Sequence, residues 1–413
     1  MKRLSVLLLF ASLVFCGTAD AGQPFTLSGR IDGLEPGDTL RFERILLPEW
    51  DREFAFDVVV ETPGTFRYEG TQPHDQYYMM TYHPMSGNDP VCDRSGKDII
   101  VTAGDTVVME GTVGEIYYCR LSGGIYDDPL LSESLRLDDS LGVIRGGYVK
   151  QITEAYERKD TVAGREYEAR FNLFYQDNPG EERLREAKRR YSEANPQGTL
   201  YILVIRMSDV MYDPVEKSKE RLASYSEELR LGYYGRLMAD KIDEMERLAE
   251  GRPAPDFTVV STDGRRLAKA DYAGRYLLIY HWGLCPGSIL LDGQVKELYG
   301  KYRGEGLEVL GVTESIAVIR KVYEGLPADQ KTPMAGTEDI RPVLAGMLEH
   351  GWTEVEVETD CPENKALLES YKCSGWPFFV LIGPDGTIRA RGFSEAFFAA
   401  RGILDKELGG GSE

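Results

Sequence analysis

Residues 276–282, YLLIYHW, form a nearly continuous apolar run, and the chain passes from it into Cys285-Pro286-Gly287-Ser288. Such a run marks a strand buried on both faces of a sheet. Pro286 suits the first position of a helix, where no N–H is needed. Val295, Leu298, Tyr299 and Tyr302 then fall on one face of a helix expected over about 286–303. LEVLGV (307–312) is a second buried strand, so the segment reads as a βαβ unit with the usual right-handed crossover. Further on, FFVLI (378–382), the turn Gly383-Pro384-Asp385-Gly386 and TIRARGF (387–393) predict a hairpin, followed by a last helix from about Ser394 to Leu408. Before the βαβ unit, FTVVSTDGRRLA predicts strand, turn and strand around Asp263-Gly264. GRPAPDF (251–257) marks the boundary at which this α/β domain, residues 251–408, begins.

The rest of the chain reads differently. From 22 to 124 short strand-like runs such as TLRFERI and TVVMEGTV are punctuated by Pro36-Gly37, Pro63-Gly64 and Ala103-Gly104-Asp105, which predicts an antiparallel β domain of the sandwich kind. Residues 125–250 carry helical patterns and predict a helical connector. EERLREAKRRYSEA (181–194) is charge-laced and stopped by Pro196, and Met238, Ile242, Met245 and Leu248 or Ala249 form a stripe ended by Gly251 and Pro253. Residues 409–413, GGGSE, are expected to be a flexible tail. At the other end, Lys2 and Arg3, the apolar run from Val6 to Phe15, and Ala19-Asp20-Ala21 predict a secretory signal over 1–21. Cys16 offers lipidation as an alternative, against which stands the bulky Phe15 before it.

Export leaves five cysteines in a setting where disulfides form. Their spacing suggests the pairs Cys92–Cys119 and Cys361–Cys373, with Cys285 left over. The net charge of −20 is spread along the chain with no basic stripe, which argues against nucleic acid as a partner. His74, His83, His281 and His350 are scattered, and no Cys/His spacing suits zinc, so no metal is expected. No Walker loop, dinucleotide fingerprint or serine-hydrolase elbow is present, and no organic cofactor is expected.

GRPAPDF…DGRRL, Trp282 ahead of the cysteine, GLEVLGV, and YKCSGWPFFVLIGPDGTI together resemble the TlpA/ResA-like thiol–disulfide oxidoreductases of the bacterial envelope, which have the thioredoxin fold. Upstream, FTLSGRIDGLEPGDTLRFER resembles the β domain of the DUF4369 type that precedes such domains. The resemblance implies a thioredoxin-like domain over about 251–408, Cys285 as nucleophile, and Pro377 as the cis-proline facing it. Ser288 falls on the second-cysteine position of the family. Other departures are Leu291 and Gly293, which stand where the family often has Glu and Pro, and a Trp282–Cys285 loop shorter by one residue. Peroxidase activity, as in the peroxiredoxin relatives of the fold, is disfavoured because Leu278 and Trp282 occupy positions that such enzymes fill with Pro and Ser or Thr.

Cys285 at a helix N-terminus is placed to ionise, because free backbone N–H groups and the macrodipole favour the thiolate. Ser288, one turn on, either donates to that sulfur or is a helix-start residue that has lost its own. Trp376, Pro377 and Trp282 are expected to line the substrate site. His281 is expected to be structural, and Cys373 to be buried or bridged to Cys361. Two functions stand open. One is thiol–disulfide exchange with envelope proteins through Cys285, in the periplasm or cell envelope, requiring an external thiol donor because no resolving thiol is present. The other is a catalytically degenerate thioredoxin-fold module for binding or structure. Membrane contact is expected only if Cys16 is lipidated.

Overall fold

The computed structural model of the chain describes residues 22–46, 52–87, 92–326, 331–332, 337–357 and 361–409. The expected leader, Cys16 within it, and the tail beyond 409 lie outside the described residues. The chain divides into two compact units, one formed by residues up to Met207 with Leu222–Leu237, the other by Ser208–Arg221 with residues from Met238 onward.

The first unit begins with eight strands: β1 (Gln23–Asp32), β2 (Thr39–Ile45), β3 (Arg52–Val59), β4 (Thr65–Gln72), β5 (Gln76–His83), β6 (Lys97–Val101), β7 (Thr106–Thr112) and β8 (Arg120–Ser122). They form two four-stranded sheets, ordered β4-β1-β7-β8 and β3-β2-β5-β6. Neighbours are antiparallel except β1 and β7, which run parallel. The sandwich is therefore not purely antiparallel, and the long excursion through the second sheet is what lets β7 return beside β1 in the same direction. Alternate residues of β1, β2 and β7 point inward, and Leu27, Ile31, Leu40, Phe42, Met80, Val107 and Met109 join in one core.

Helices follow: α1 (Pro129–Glu157), α2 (Thr161–Asp177), α3 (Pro179–Ala194), α4 (Leu200–Ile205), α5 (Val215–Ser224), α6 (Glu227–Leu231) and α7 (Tyr233–Arg247). Asp128 caps α1 by accepting from the Leu130 and Leu131 N–H groups, and Pro129 takes the first helical position. The charge-laced α3 buries Leu184, Ala187 and Tyr191 and carries Arg–Glu pairs three or four residues apart on its exposed side. Arg145 of α1 ties this region together: its buried guanidinium contacts Asp93 at 2.8 Å, Glu181 at 3.2 Å and Asp138 at 3.4 Å.

The second unit is thioredoxin-like. Its strands are β9 (Thr258–Val260), β10 (Arg266–Ala268), β11 (Tyr276–His281), β12 (Leu307–Thr313), β13 (Thr353–Glu356), β14 (Phe378–Ile382) and β15 (Ile388–Gly392). Its later helices are α8 (Pro286–Tyr302), α9 (Ile316–Gly325), α10 (Arg341–Met347), α11 (Pro362–Tyr371) and α12 (Ser394–Glu407). The main sheet has the order β13-β12-β11-β14-β15, with β11, β12 and β13 mutually parallel and β14 and β15 antiparallel. All six residues of β11 are buried, as its unbroken apolar run requires. Period-two alternation turns Leu278, Tyr280 and Trp282 to the face covered by Val295 and Leu298 of α8 and Phe397 and Leu404 of α12. The hairpin β9–β10 turns at Gly264, whose φ of +83° is one that glycine adopts without strain.

Candidate active site

β11 ends at His281, and four residues later Cys285 caps α8. Its backbone is extended, and its sulfur accepts the Ser288 N–H at 3.3 Å, the interaction a serine or aspartate oxygen makes at other N-caps. Ser288 is fully buried, and its Oγ lies 3.2 Å from the Cys285 sulfur. The same Oγ accepts the Gly283 N–H at 3.3 Å. The protonated thiol of Cys285 donates to this oxygen, and on loss of that proton the hydroxyl would turn its own hydrogen to the sulfur. An ionised Cys285 would then be met by two donors from one residue, at the positive end of a 17-residue helix.

The Trp376–Pro377 peptide is cis, as the resemblance implied. Pro377 lies against the start of α8: a Cβ on Gly287 would stand 2.7 Å from its Cδ. Trp376 lies against the turn before Cys285, since a Cβ on Gly283 would come within 2.6 Å of its ring. Cys285, Ser288, Trp376 and Pro377 are therefore brought together.

Trp282 is not part of that surface. It is wholly buried, and its indole N–H donates to Glu354 at 3.1 Å. Strand alternation places it with Tyr280 on the core side, so the expected substrate contact is corrected to a core role.

The expected disulfides are not formed: Cys92, Cys119, Cys285, Cys361 and Cys373 all stand as thiols. Cys361 precedes the ten-residue α11 and Cys373 follows it. A helix of that length separates its ends by about 15 Å, whereas a disulfide needs Cα atoms within about 7 Å. Cys92 donates to the Arg94 carbonyl at 3.0 Å, while Cys119 is packed in the sandwich core. Burial pushes the Cys119 thiol up to about 11 and that of Cys373 to about 12, so neither is a ready nucleophile.

A polar cluster that sequence reading missed lies on the core side of α8. His350 is held between two carboxylates, with Nε2 2.7 Å from Asp292 and Nδ1 2.5 Å from Glu354. Lys296 reaches the other Asp292 oxygen at 2.9 Å, and the Trp352 indole N–H donates to Glu354 at 2.6 Å. Burial works to lower the His350 value, but the hydrogen bonds and charges of Asp292 and Glu354 outweigh it, and the imidazole is raised above its ordinary 6.5. The available signal was Asp292 itself, a charge three residues from Val295 within an apolar helical stripe.

No family model matches the chain. The thiol–disulfide oxidoreductase ResA of Bacillus cereus is 26% identical over 147 residues, which cover 33% of this chain and 83% of that protein. In part of its length the chain is thus similar to a thiol–disulfide oxidoreductase. Among solved structures, the thioredoxin domain of a thiol–disulfide oxidoreductase from Bacteroides vulgatus aligns at 20% identity over 39% of this chain and 98% of its own, with a TM-score of 0.28. A thiol:disulfide interchange protein from a Bacteroides species aligns at 21% identity over 40% of this chain and 93% of its own, with a TM-score of 0.30.

Among the described residues no group of His, Cys, Asp and Glu is arranged to hold a metal ion, and no helix is long and apolar enough to cross a membrane.

Proposed function

We propose that this protein exchanges disulfides with exported proteins through the single thiol of Cys285. The carrying observation is the sulfur itself, part-exposed at the start of α8, capped by the Ser288 N–H and close to the Ser288 hydroxyl. Pro377 and Trp376 beside it supply backbone and an aromatic wall for a substrate chain. The Cys285 thiolate attacks one sulfur of a substrate disulfide, forming a mixed disulfide and releasing the other sulfur as thiolate. An external thiol then attacks the Cys285 sulfur and releases the second substrate thiol, and a further equivalent of that thiol frees Cys285. Two electrons pass from two external thiols, which end as their own disulfide. Residues 1–21, by their signal-like pattern, and the resemblance of 251–408 to oxidoreductases of the bacterial envelope support export and action in the cell envelope. The run FTLSGRIDGLEPGDTLRFER supports a β domain of the DUF4369 type.

Ser288 in place of a second thiol favours one rival, a thioredoxin-like module that binds without exchanging disulfides. Trapping decides between them. The intact mature chain, mixed with envelope extract and quenched with acid, should yield mixed disulfides that vanish in Cys285→Ala. Their absence from the unsubstituted protein, with a sulfur inert to alkylation, would leave only the binding module.

A further inference from the structure

His281 closes β11 with its ring on the sheet face opposite Tyr280 and Trp282, and it is buried. Its Nε2 lies 2.9 Å from the Trp376 Nε1 and accepts the indole N–H, with the two rings steeply inclined at 72°. An indole nitrogen only donates, so this contact assigns the imidazole its lone pair at Nε2 and its proton at Nδ1. Burial pulls the ring down to about 4, against a smaller upward influence from the Gly375 backbone, so it stays neutral and able to accept.

The contact continues to the sulfur. Trp376 rests on Gly283, where even one added methyl carbon would meet its ring at 2.6 Å. The Gly283 N–H donates to Ser288, whose hydroxyl lies against Cys285. One residue on, Pro377 presses on Gly287. A buried imidazole thus fixes the side chain that forms one wall beside the nucleophile, without itself reaching the sulfur.

We infer that His281 is a positioning residue for disulfide exchange, holding the Trp376 indole against Gly283 so that a polypeptide carrying the disulfide meets a rigid wall beside Cys285. The inference rests on the exchange activity proposed above and adds the residue that holds its wall in place: disulfides on a polypeptide meet that wall, whereas small electrophiles reach the sulfur from solvent.

The test uses the full mature chain with His281→Phe, His281→Gln, Trp376→Phe and the His281→Phe/Trp376→Phe double variant. The probes are a cysteine peptide as its mixed disulfide with thionitrobenzoate, and iodoacetamide. Losing one buried hydrogen bond should slow exchange with the peptide about tenfold in His281→Phe, while alkylation stays within about twofold. Gln, whose amide oxygen can accept the indole N–H, should recover most of the rate. Trp376→Phe should match His281→Phe, and the double variant should be no slower than either. In the NMR spectrum, the Trp376 indole N–H should shift and exchange faster in His281→Phe. An active unsubstituted chain with an unimpaired His281→Phe overturns this inference alone. So does an equal loss toward iodoacetamide, an additive double variant, or an unchanged indole signal. An unsubstituted chain that exchanges nothing overturns the activity and this inference with it.

Discussion

Replacing His350 by Phe should destabilise the second unit by about 3 kcal/mol near pH 6, a value set by what the substitution leaves behind. The imidazole is 1% exposed, Asp292 3% and Glu354 10%, so all three are effectively out of water. With His350 charged, two carboxylates face two cations, and removing the ring leaves one buried negative charge in excess. Breaking such a pair costs about 3–5 kcal/mol. The low end applies because Asp292 keeps Lys296, while Glu354 keeps the indole donors of Trp282 and Trp352. The pH dependence has a definite sign. The folded state holds the His350 proton more tightly than the unfolded chain, whose ordinary value is 6.5. This contribution is therefore complete below about 6.5 and is lost as pH rises through the raised folded value. Urea unfolding followed by tryptophan fluorescence reads it out, since Trp282 and Trp352 lie 4.8 and 4.2 Å, ring centre to ring centre, from His350. A gap between the two proteins below about 1 kcal/mol at pH 6, or one that widens toward alkaline pH, would refute the reasoning.

Ser288→Ala removes the hydroxyl beside Cys285, and alkylation of that sulfur at neutral pH should slow about tenfold, the equivalent of one hydrogen bond to a charged group; an unchanged rate would show that Ser288 gives the sulfur no help. Ser288→Cys places a second sulfur at that point, and mild oxidation should then consume both thiols, as counted by mass after alkylation; two free thiols would contradict the geometry. Gly287→Ala drives a methyl to 2.7 Å from Pro377, and the rigid ring should be displaced, with exchange on peptide disulfides falling more than tenfold and stability by about 1–3 kcal/mol in urea. In the first unit, Arg145→Met takes the cation from Asp93, which keeps the Tyr118 hydroxyl, and from Glu181, and thermal unfolding should report a loss of about 3 kcal/mol.

Strand and helix positions in the second unit were readable because their signals are local. An unbroken apolar run must be shielded on both faces, and YLLIYHW became the fully buried β11. Pro286 announced the start of α8, and the Val295/Leu298/Tyr302 stripe its inner face. In the first unit the stop at Pro196 agreed with the end of α3 at Ala194. The short β13 carried no comparable pattern and was missed. Pairing of cysteines was misread because spacing along a chain does not show how far apart the ten-residue α11 holds Cys361 and Cys373.

Local pattern alone showed which segments must hide from water and where a cysteine meets a helix start, because hydrophobic period and N-cap chemistry are properties of neighbouring residues. Only the tertiary structure decided which polar atoms face one another. Asp292 on α8 meets His350 of a loop 58 residues on, and His281 at the end of β11 meets Trp376 of a loop 95 residues on. Hydrogen bonds act over about 3 Å, so such partners exist only once the sheet has brought distant strands and loops side by side.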